Sequence, residues 1–553
     1  MQVLSSSRKI EISLTGFNLL IAAWLAGGLN FSFFQKISQL SSYTGVAHYF
    51  FIFATFLLLT SLYFIVLQLF NWKRTAKVIS AFLIFVGGGA SYFVNQLGVE
   101  ITRSQMENVA QTDFHETLDL ISAAPFLIWF AGTVIIPLII IFAFIKIKPQ
   151  TVKKTLLMKL LSLIIAFACA GGCLFAFYGQ YAPIFREHRE LKAKISPMNA
   201  ISSGLSYLQK QFQHNKKKAP LVRYGEDAHV VMNASSQQPK ILVLVVGETA
   251  RAQNFSLNGY GKLTNPELSK LDIINFSNVS SCGTQTSVSV PCMFSGMPRH
   301  EYDESLASHR EGLLDVVQRA GYKVTWIDNN SGCKGACDRI QNYISPKDDP
   351  RYQKSCKDGE CQDQVLLDAL KDYLKTLDMA HLKQNQLIVL HQMGSHGPAY
   401  YERYPQAFRK FTPTCDTNNI QNCDHDTLVN TYDNTIVYTD HILATLIQDL
   451  KQLPIASGMM YLSDHGESTG ESGMYLHGAP YLMSPKEQTH IPMLFWFSGQ
   501  WPQQNQLRTC LNEQQKAKLS QDNLFPTVLG LLDIQTQVLN PKLNMVSNCQ
   551  GRI

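Results

Sequence analysis

The sequence predicts two structures in series: an α-helical membrane domain of five transmembrane helices, then an α/β domain with a mostly parallel sheet and helices on both faces. Three observations carry this. The first third of the chain holds five long runs almost free of charge. All the cysteines except Cys169 and Cys173 fall after the last run. The second half alternates short apolar runs, each ending in polar residues, with amphipathic helical stretches.

The chain has 553 residues, of which 46% are hydrophobic and 16% charged. That is long for one compact domain and poor in charge for a wholly soluble protein. The five runs cover residues 12–34, 49–70, 78–95, 121–145 and 160–181, within a membrane domain spanning 1–181. Each is long enough for a helix to cross a hydrocarbon core of about 30 Å, which takes about 20 residues. A cleaved signal peptide would account for the first run alone. Arg8, Lys9, Lys73, Arg74, Lys77, Lys146, Lys148, Lys153, Lys154 and Lys159 collect on one side of these runs. Only Lys36 and Arg103 sit in the short loops of the other side. This asymmetry puts the N-terminus in the cytoplasm and everything beyond residue 181 outside it.

Cys169 and Cys173 lie inside the fifth run. The other ten cysteines, all on the outer side, read as disulfides of an oxidising compartment. Near neighbours suggest the pairs Cys282–Cys292, Cys333–Cys337, Cys356–Cys361 and Cys415–Cys423, which leaves Cys510–Cys549. Structural zinc fits less well, because the spacings are irregular.

Residues 182–238 form a connector with an amphipathic helix, Ile201, Leu205, Leu208 and Phe212 recurring at helical spacing. Lys210, Lys216, Lys217, Lys218 and Arg223 surround it. Such a segment lies on an anionic lipid surface or packs on the soluble domain.

From 239 to 553 the strands are expected at 241–249, 322–330, 386–397, 458–468 and from 491, with helices at 304–320, 364–377 and 427–453. In an open parallel sheet the binding crevice lies beyond the carboxyl ends of the strands. The residues collected there are Glu248, Asp328, Asn330, His391, His396, Asp464 and His465. Two carboxylates and an imidazole, Glu248, Asp464 and His465, suit a divalent ion, zinc first. A three-ligand site keeps a position open for a reacting oxygen. The stretch SCGTQTSVSVPCMF, residues 281–294, supplies hydroxyls at Thr284, Thr286, Ser287 and Ser289 between two cysteines. One of these four is the candidate nucleophile.

The segments VGETAR, SCGTQTSVSVPCMFS, DNNSGCKG, HQMGSHGPAY, and SDHGES followed by YLHG resemble those of the inner-membrane phosphoethanolamine transferases that decorate lipid A, in particular those linked to polymyxin resistance. The soluble half resembles the alkaline phosphatase and sulfatase superfamily. The resemblance covers nearly the whole chain. It implies Glu248, Asp464 and His465 as zinc ligands and Thr286 as both nucleophile and fourth ligand. It implies that Asn330, Lys334, His396 and His477 hold the transferred phosphoryl group, with a second zinc at times near His396 and His477. Asn108, Thr112 and Glu116, in the outer loop between the third and fourth runs, match positions used for the ethanolamine group. A phosphatidylethanolamine donor and a lipid A acceptor are implied too. So is a multi-pass protein of the bacterial inner membrane with a periplasmic catalytic domain. A monomer with membrane-lipid contacts and no nucleic-acid partner is expected.

Three other readings remain at this point. A hydrolase of the same superfamily would resolve the intermediate with water, although five spans anchor this domain beside lipid. A transferase acting on a core heptose or periplasmic glucan would share the same catalytic half. A sensor with a degenerate domain is opposed by the complete set of ligands, nucleophile and histidines.

Overall fold

The computed structural model describes residues 9–111, 121–122, 124–216, 220–231, 239–357, 360–418, 420–547 and 549. It divides into two compact units, Met1–Val109 with Ile121–Gln213, and Ala110–Leu120 with His214–Ile553.

The described part of the first unit is built on helices α1 (Leu14–Gly27), α2 (Phe31–Leu40), α3 (Gly45–Phe70), α4 (Ala76–Gln96), α5 (Arg103–Gln111), α6 (Ala124–Phe144), α7 (Val152–Ala176), α8 (Tyr178–Glu187) and α9 (Met198–Lys216). By length and composition, α3, α4, α6 and α7 are each able to cross a membrane, and α1 with α2 makes a fifth span if the bent pair is counted as one. The expected single helix over 12–34 is instead broken, with a 62° bend between α1 and α2. Asn30 provides the reason. Its Nδ2 donates to the carbonyls of Leu25 (2.7 Å), Ala26 (3.2 Å) and Ser196 (2.9 Å), while its Oδ1 accepts from Ser196 N (2.7 Å). A buried amide thus satisfies the last carbonyls of α1, so the helix ends without leaving them bare in an apolar setting.

Helix α6 carries two π turns, Ala131–Ile135 and Ile140–Phe144, on either side of Pro137. A proline inside a helix lacks an N–H and crowds the preceding turn, and the wider turns absorb that misfit. Helix α7 starts at Val152, ahead of the expected residue 160, because Thr151 caps it by accepting from Lys154 N (3.4 Å). A short parallel pair joins Ile10–Ile12 to Ile145–Ile147.

The second unit is organised on an eight-stranded sheet. Its strands are β1 (Lys240–Gly247), β2 (Ile274–Ser280), β3 (Lys323–Asp328), β4 (Asn342–Ile344), β5 (Gln386–His391), β6 (Ala456–Ser463), β7 (His490–Phe497) and β8 (Leu519–Ser520), in the order β8-β2-β7-β6-β1-β5-β3-β4. The pairings of β6, β1, β5, β3 and β4 are parallel, while β7 runs antiparallel to β6 and β2. Alternate residues of β1 enter opposite cores: Leu242, Leu244 and Val246 on one face, Ile241, Val243 and Val245 on the other. A strand buried on both faces therefore reads as one unbroken apolar run.

Three further helices matter for the site: α10 (Thr286–Ser295), α11 (Gln364–Lys375) and α12 (His425–Lys451). The expected helix 304–320 is two pieces, Glu304–Ala307 and Leu313–Arg319. Between them Glu311 turns inward, pairs with Arg223 (2.7 Å) and Arg319 (2.6 Å), and accepts from Tyr224 N (3.0 Å). These bonds to the buried Glu311 carboxylate hold the break open. The five cysteine pairs proposed from spacing are joined as disulfides, and Cys169 and Cys173 are free.

Candidate active site

Glu248 follows β1 directly, and Asp464 and His465 follow β6. The register of these parallel neighbours pairs Gly247 with Ser463, and Asp464 N donates to Gly247 O (2.9 Å). The two carboxylates therefore leave the sheet side by side. The turn after β5 presses on them from the other flank. Gly394 there has φ +54°, and a Cβ on it would come within 2.5 Å of the Glu248 carbonyl, so only glycine fits.

Thr286 is the first residue of α10 and follows Gln285 in extended conformation. The Cys282–Cys292 bridge ties the loop before the helix to the helix itself. Of the four hydroxyls in this stretch, Thr284 donates to Ala479 O (2.7 Å) and Ser289 accepts from Gly283 N (2.9 Å). Ser287 Oγ is buried with no hydrogen-bond partner among the described residues. Thr286 Oγ1 faces the cluster: it donates to Glu248 Oε2 at 3.0 Å and lies 3.3 Å from His465 Nε2. Thr286 Oγ1 thus lies at the N-terminal, positive end of α10.

His465 Nδ1 lies 2.8 Å from Gly466 O. A carbonyl only accepts, so Nδ1 carries a proton, and Nε2 is turned to the carboxylates. Nε2 is 3.4 Å from both Glu248 Oε1 and Asp464 Oδ2. Glu248, Asp464 and His465 are fully buried, and their ligand atoms lie within 4.8 Å of one another. Asp464 Oδ2 has no hydrogen-bond partner among the described residues. Two buried carboxylates converging with a ring nitrogen form a donor set that suits a divalent cation. Burial and the charge of Glu248 push the Asp464 carboxyl well above the ordinary carboxylate range. Burial would raise Glu248 too, but the imidazoles of His465, His396 and His477 outweigh it and hold that carboxyl below its usual range.

Of the other residues implied by the motifs, Asn330, His396 and His477 adjoin this cluster. Asn330 Nδ2 donates to Glu248 Oε2 and to Gln392 O, both at 2.8 Å. Lys334, at φ +51°, donates from Nζ to Ser331 O (3.0 Å) and Ser331 Oγ (2.8 Å). The ring of His477 lies 4.3 Å from that of His465 and 5.7 Å from that of His396, between centroids. Asn108 lies on α5 in the first unit and is half-buried. Thr112 and Glu116 fall outside the described residues.

Asp328 and His391, collected at the strand ends without a role, form a fully buried pair at 2.8 Å under the site. Burial would raise Asp328, yet His391, Trp326 Nε1 and Gly332 N hold it down to about 2. Two residues escaped sequence reasoning. Glu467 is fully buried, accepts from the Tyr400 hydroxyl (3.0 Å) and lies 3.4 Å from His477 Nδ1. Gln521 donates to the carbonyls of Ser463 (2.8 Å) and Asp464 (2.7 Å) and accepts from Cys282 N (2.6 Å). It bridges the end of β6 and the loop before Thr286. The acid in SDHGES signalled the first; nothing local signalled the second.

The sulfatase family pattern matches residues 240–534, and the pattern described as phosphoethanolamine transferase EptA/EptB matches residues 59–212. The chain is 40% identical over 552 residues to phosphoethanolamine transferase EptA of Escherichia coli strain K12, with 98% of both chains covered. It is 35% identical over 533 residues to phosphatidylethanolamine transferase Mcr-1 of Escherichia coli, covering 93% of this chain and 94% of that one. Among solved structures, the integral membrane lipooligosaccharide phosphoethanolamine transferase A (EptA) of Neisseria meningitidis superposes with a TM-score of 0.90 at 36% identity, covering 98% of this chain and 99% of that one.

Proposed function

Because this chain belongs to the EptA/EptB family of phosphoethanolamine transferases, we propose that it moves phosphoethanolamine from phosphatidylethanolamine to a phosphate of lipid A through a covalent intermediate on Thr286. Zinc is the assigned cofactor, held by Glu248, Asp464, His465 and Thr286. When bound, it supplies Lewis-acid charge that lowers the pKa of a hydroxyl and offsets negative charge developing at phosphorus. The observation that carries this reading is Thr286 Oγ1 at 3.0 Å from Glu248 and 3.3 Å from His465 at the start of α10.

The Thr286 oxygen attacks the phosphorus of the donor and loses its proton. The bond from phosphorus to the glycerol oxygen breaks, and diacylglycerol leaves after taking up a proton. An oxygen of a lipid A phosphate then attacks the threonine ester, and Thr286 leaves as the hydroxyl. The N–H groups opening α10 and the Lys334 ammonium steady the phosphoryl oxygens. Asn330 orients both Glu248 and the transferred group. His396 and His477 are suited to shuttle the protons of the two leaving groups, with the Glu467 carboxylate 3.4 Å from His477 Nδ1. Asn108, Thr112 and Glu116 hold the ethanolamine end. A second zinc has its place near His396 and His477.

The membrane domain over 1–181 keeps the N-terminus cytoplasmic, 182–238 connects, and 239–553 is the periplasmic catalytic domain of a monomer in the inner membrane. An added ethanolamine ammonium offsets a negative lipid A phosphate and weakens attraction of cationic peptides such as polymyxin.

Thr286→Ala tests the reading. The variant is expected to fold and retain zinc, more weakly, by elemental analysis, while mass spectrometry detects neither modified lipid A nor the phosphoethanolamine adduct on the intact protein. Substantial residual transfer would place the nucleophile elsewhere. Free phosphoethanolamine from the natural chain in place of modified lipid A would make it a hydrolase.

A further inference from the structure

Four lysines of the first unit line one cavity of about 220 Å³: Lys9, Lys73, Lys77 and Lys146, with Ile145 and Ile147 as its apolar wall. The parallel pairing of Ile10–Ile12 with Ile145–Ile147 builds it, by drawing Lys9 and the end of α6 towards the start of α4. Lys9 Nζ donates to Phe142 O (3.3 Å) and Lys77 Nζ to Ile145 O (2.6 Å), so both ammoniums cover the carbonyl end of α6. Lys146 pairs with Glu11 at 2.7 Å. Lys73, exposed, has no partner among the described residues. An ammonium offers three protons, so each of these lysines retains donors after the bonds named. Among the described residues that line or pair with this cavity, four are lysines and Glu11 is the acid, which leaves a concave site with a positive balance. Phe142 and Phe144, about half exposed at 48% and 46%, continue from its edge over the outer surface of α6, and Lys77 Nζ sits 5.5 Å from the Phe142 ring.

We propose that this cavity binds the phosphate of an anionic phospholipid head group, with the acyl chains lying along Phe142 and Phe144. The shared chemistry is a phosphate oxyanion. The lipid is favoured over free phosphate because the cationic cavity runs directly into lipid-facing aromatic surface. Basic pockets between helices at the cytoplasmic face take such head groups, and each lysine is expected to contribute about fivefold to affinity. The assignment of the leaflet rests on the cytoplasmic N-terminus stated above. The cavity itself does not depend on the transfer reaction.

The test is native mass spectrometry of the full-length protein in detergent with added phosphatidylglycerol, phosphatidylcholine or inorganic phosphate. Phosphatidylglycerol is expected to be retained and phosphatidylcholine not. Lys73→Gln, which breaks no contact of the described structure, should weaken retention about fivefold. The triple change Lys9→Gln, Lys73→Gln, Lys77→Gln should weaken it on the order of a hundredfold. Lys153→Gln with Lys154→Gln, basic but outside the cavity, should leave it unchanged, and Thr286→Ala should bind phosphatidylglycerol like the natural chain while failing to transfer. Displacement of the lipid by millimolar phosphate would replace it with a free-anion site. Equal loss in the Lys153 and Lys154 control would reduce it to diffuse surface charge. Retention unaffected by Lys73→Gln and by the triple change would overturn the site.

Discussion

Replacing Gln521 with alanine removes three buried hydrogen bonds at once. The side chain is 1% exposed and joins the carbonyls of Ser463 and Asp464 to the N–H of Cys282. Each bond is worth about 1 kcal/mol net, and a buried group left without a partner costs about 1–3 kcal/mol. The loss should therefore total about 3–5 kcal/mol. An unfolding entropy of about 2.1 cal/mol/K per residue, over the roughly 350 residues of the second unit, gives about 0.7 kcal/mol/K. The midpoint should fall by about 4–7 °C. Activity should fall further than stability, because Gln521 holds the loop before Thr286 against the strand that carries Asp464 and His465. A displacement near 1 Å at a reacting centre costs about a hundredfold. Thermal unfolding by circular dichroism, zinc content and lipid A transfer, all measured on the full chain below the midpoint, make the assay. A midpoint within about 1 °C of the natural protein together with undiminished transfer would refute the reasoning.

Gly466→Ala should be severe, because its Cβ would sit 1.9 Å from the Glu487 carbonyl and force that segment away from His465; a loss of about 2–4 kcal/mol with reduced zinc content is expected, checked by denaturant unfolding and elemental analysis. The Asp328–His391 pair sets an acid limit. The folded Asp328 sits near 2, below its usual value of 3.8, so its contribution, on the order of 2 kcal/mol, is present above pH 4 and disappears as pH falls towards 2. The stability difference between the natural chain and Asp328→Asn should shrink over that range, and a constant difference would mean that the Asp328 carboxyl is not held low. Changing both Cys510 and Cys549 to serine opens a loop with a separation of 39 residues and should cost about 4 kcal/mol of unfolding free energy, read from the denaturation midpoint.

Much of this protein was legible in order along the chain. Apolar runs longer than a soluble helix needs can only be satisfied by lipid, and strands buried on both faces leave the same mark wherever they occur. The carboxyl ends of parallel strands collect their residues by topology, so Glu248, Asp464 and His465 could be grouped before any contact was known. Local sequence carried no trace of partners remote in the chain. Asn30 breaks the first span because it meets Ser196, the helix expected over 304–320 opens because Glu311 finds Arg223 and Arg319, and Gln521 matters only through Ser463, Asp464 and Cys282. The four hydroxyls between Cys282 and Cys292 are alike by spacing. Thr286 stands apart in the fold because α10 begins there, turning one oxygen to the carboxylates and the others into loop contacts or the packed interior. Periodicity and composition are local properties and survive in the sequence. Which buried polar atoms meet is decided by chain closure over tens to hundreds of residues, and only the tertiary structure records it.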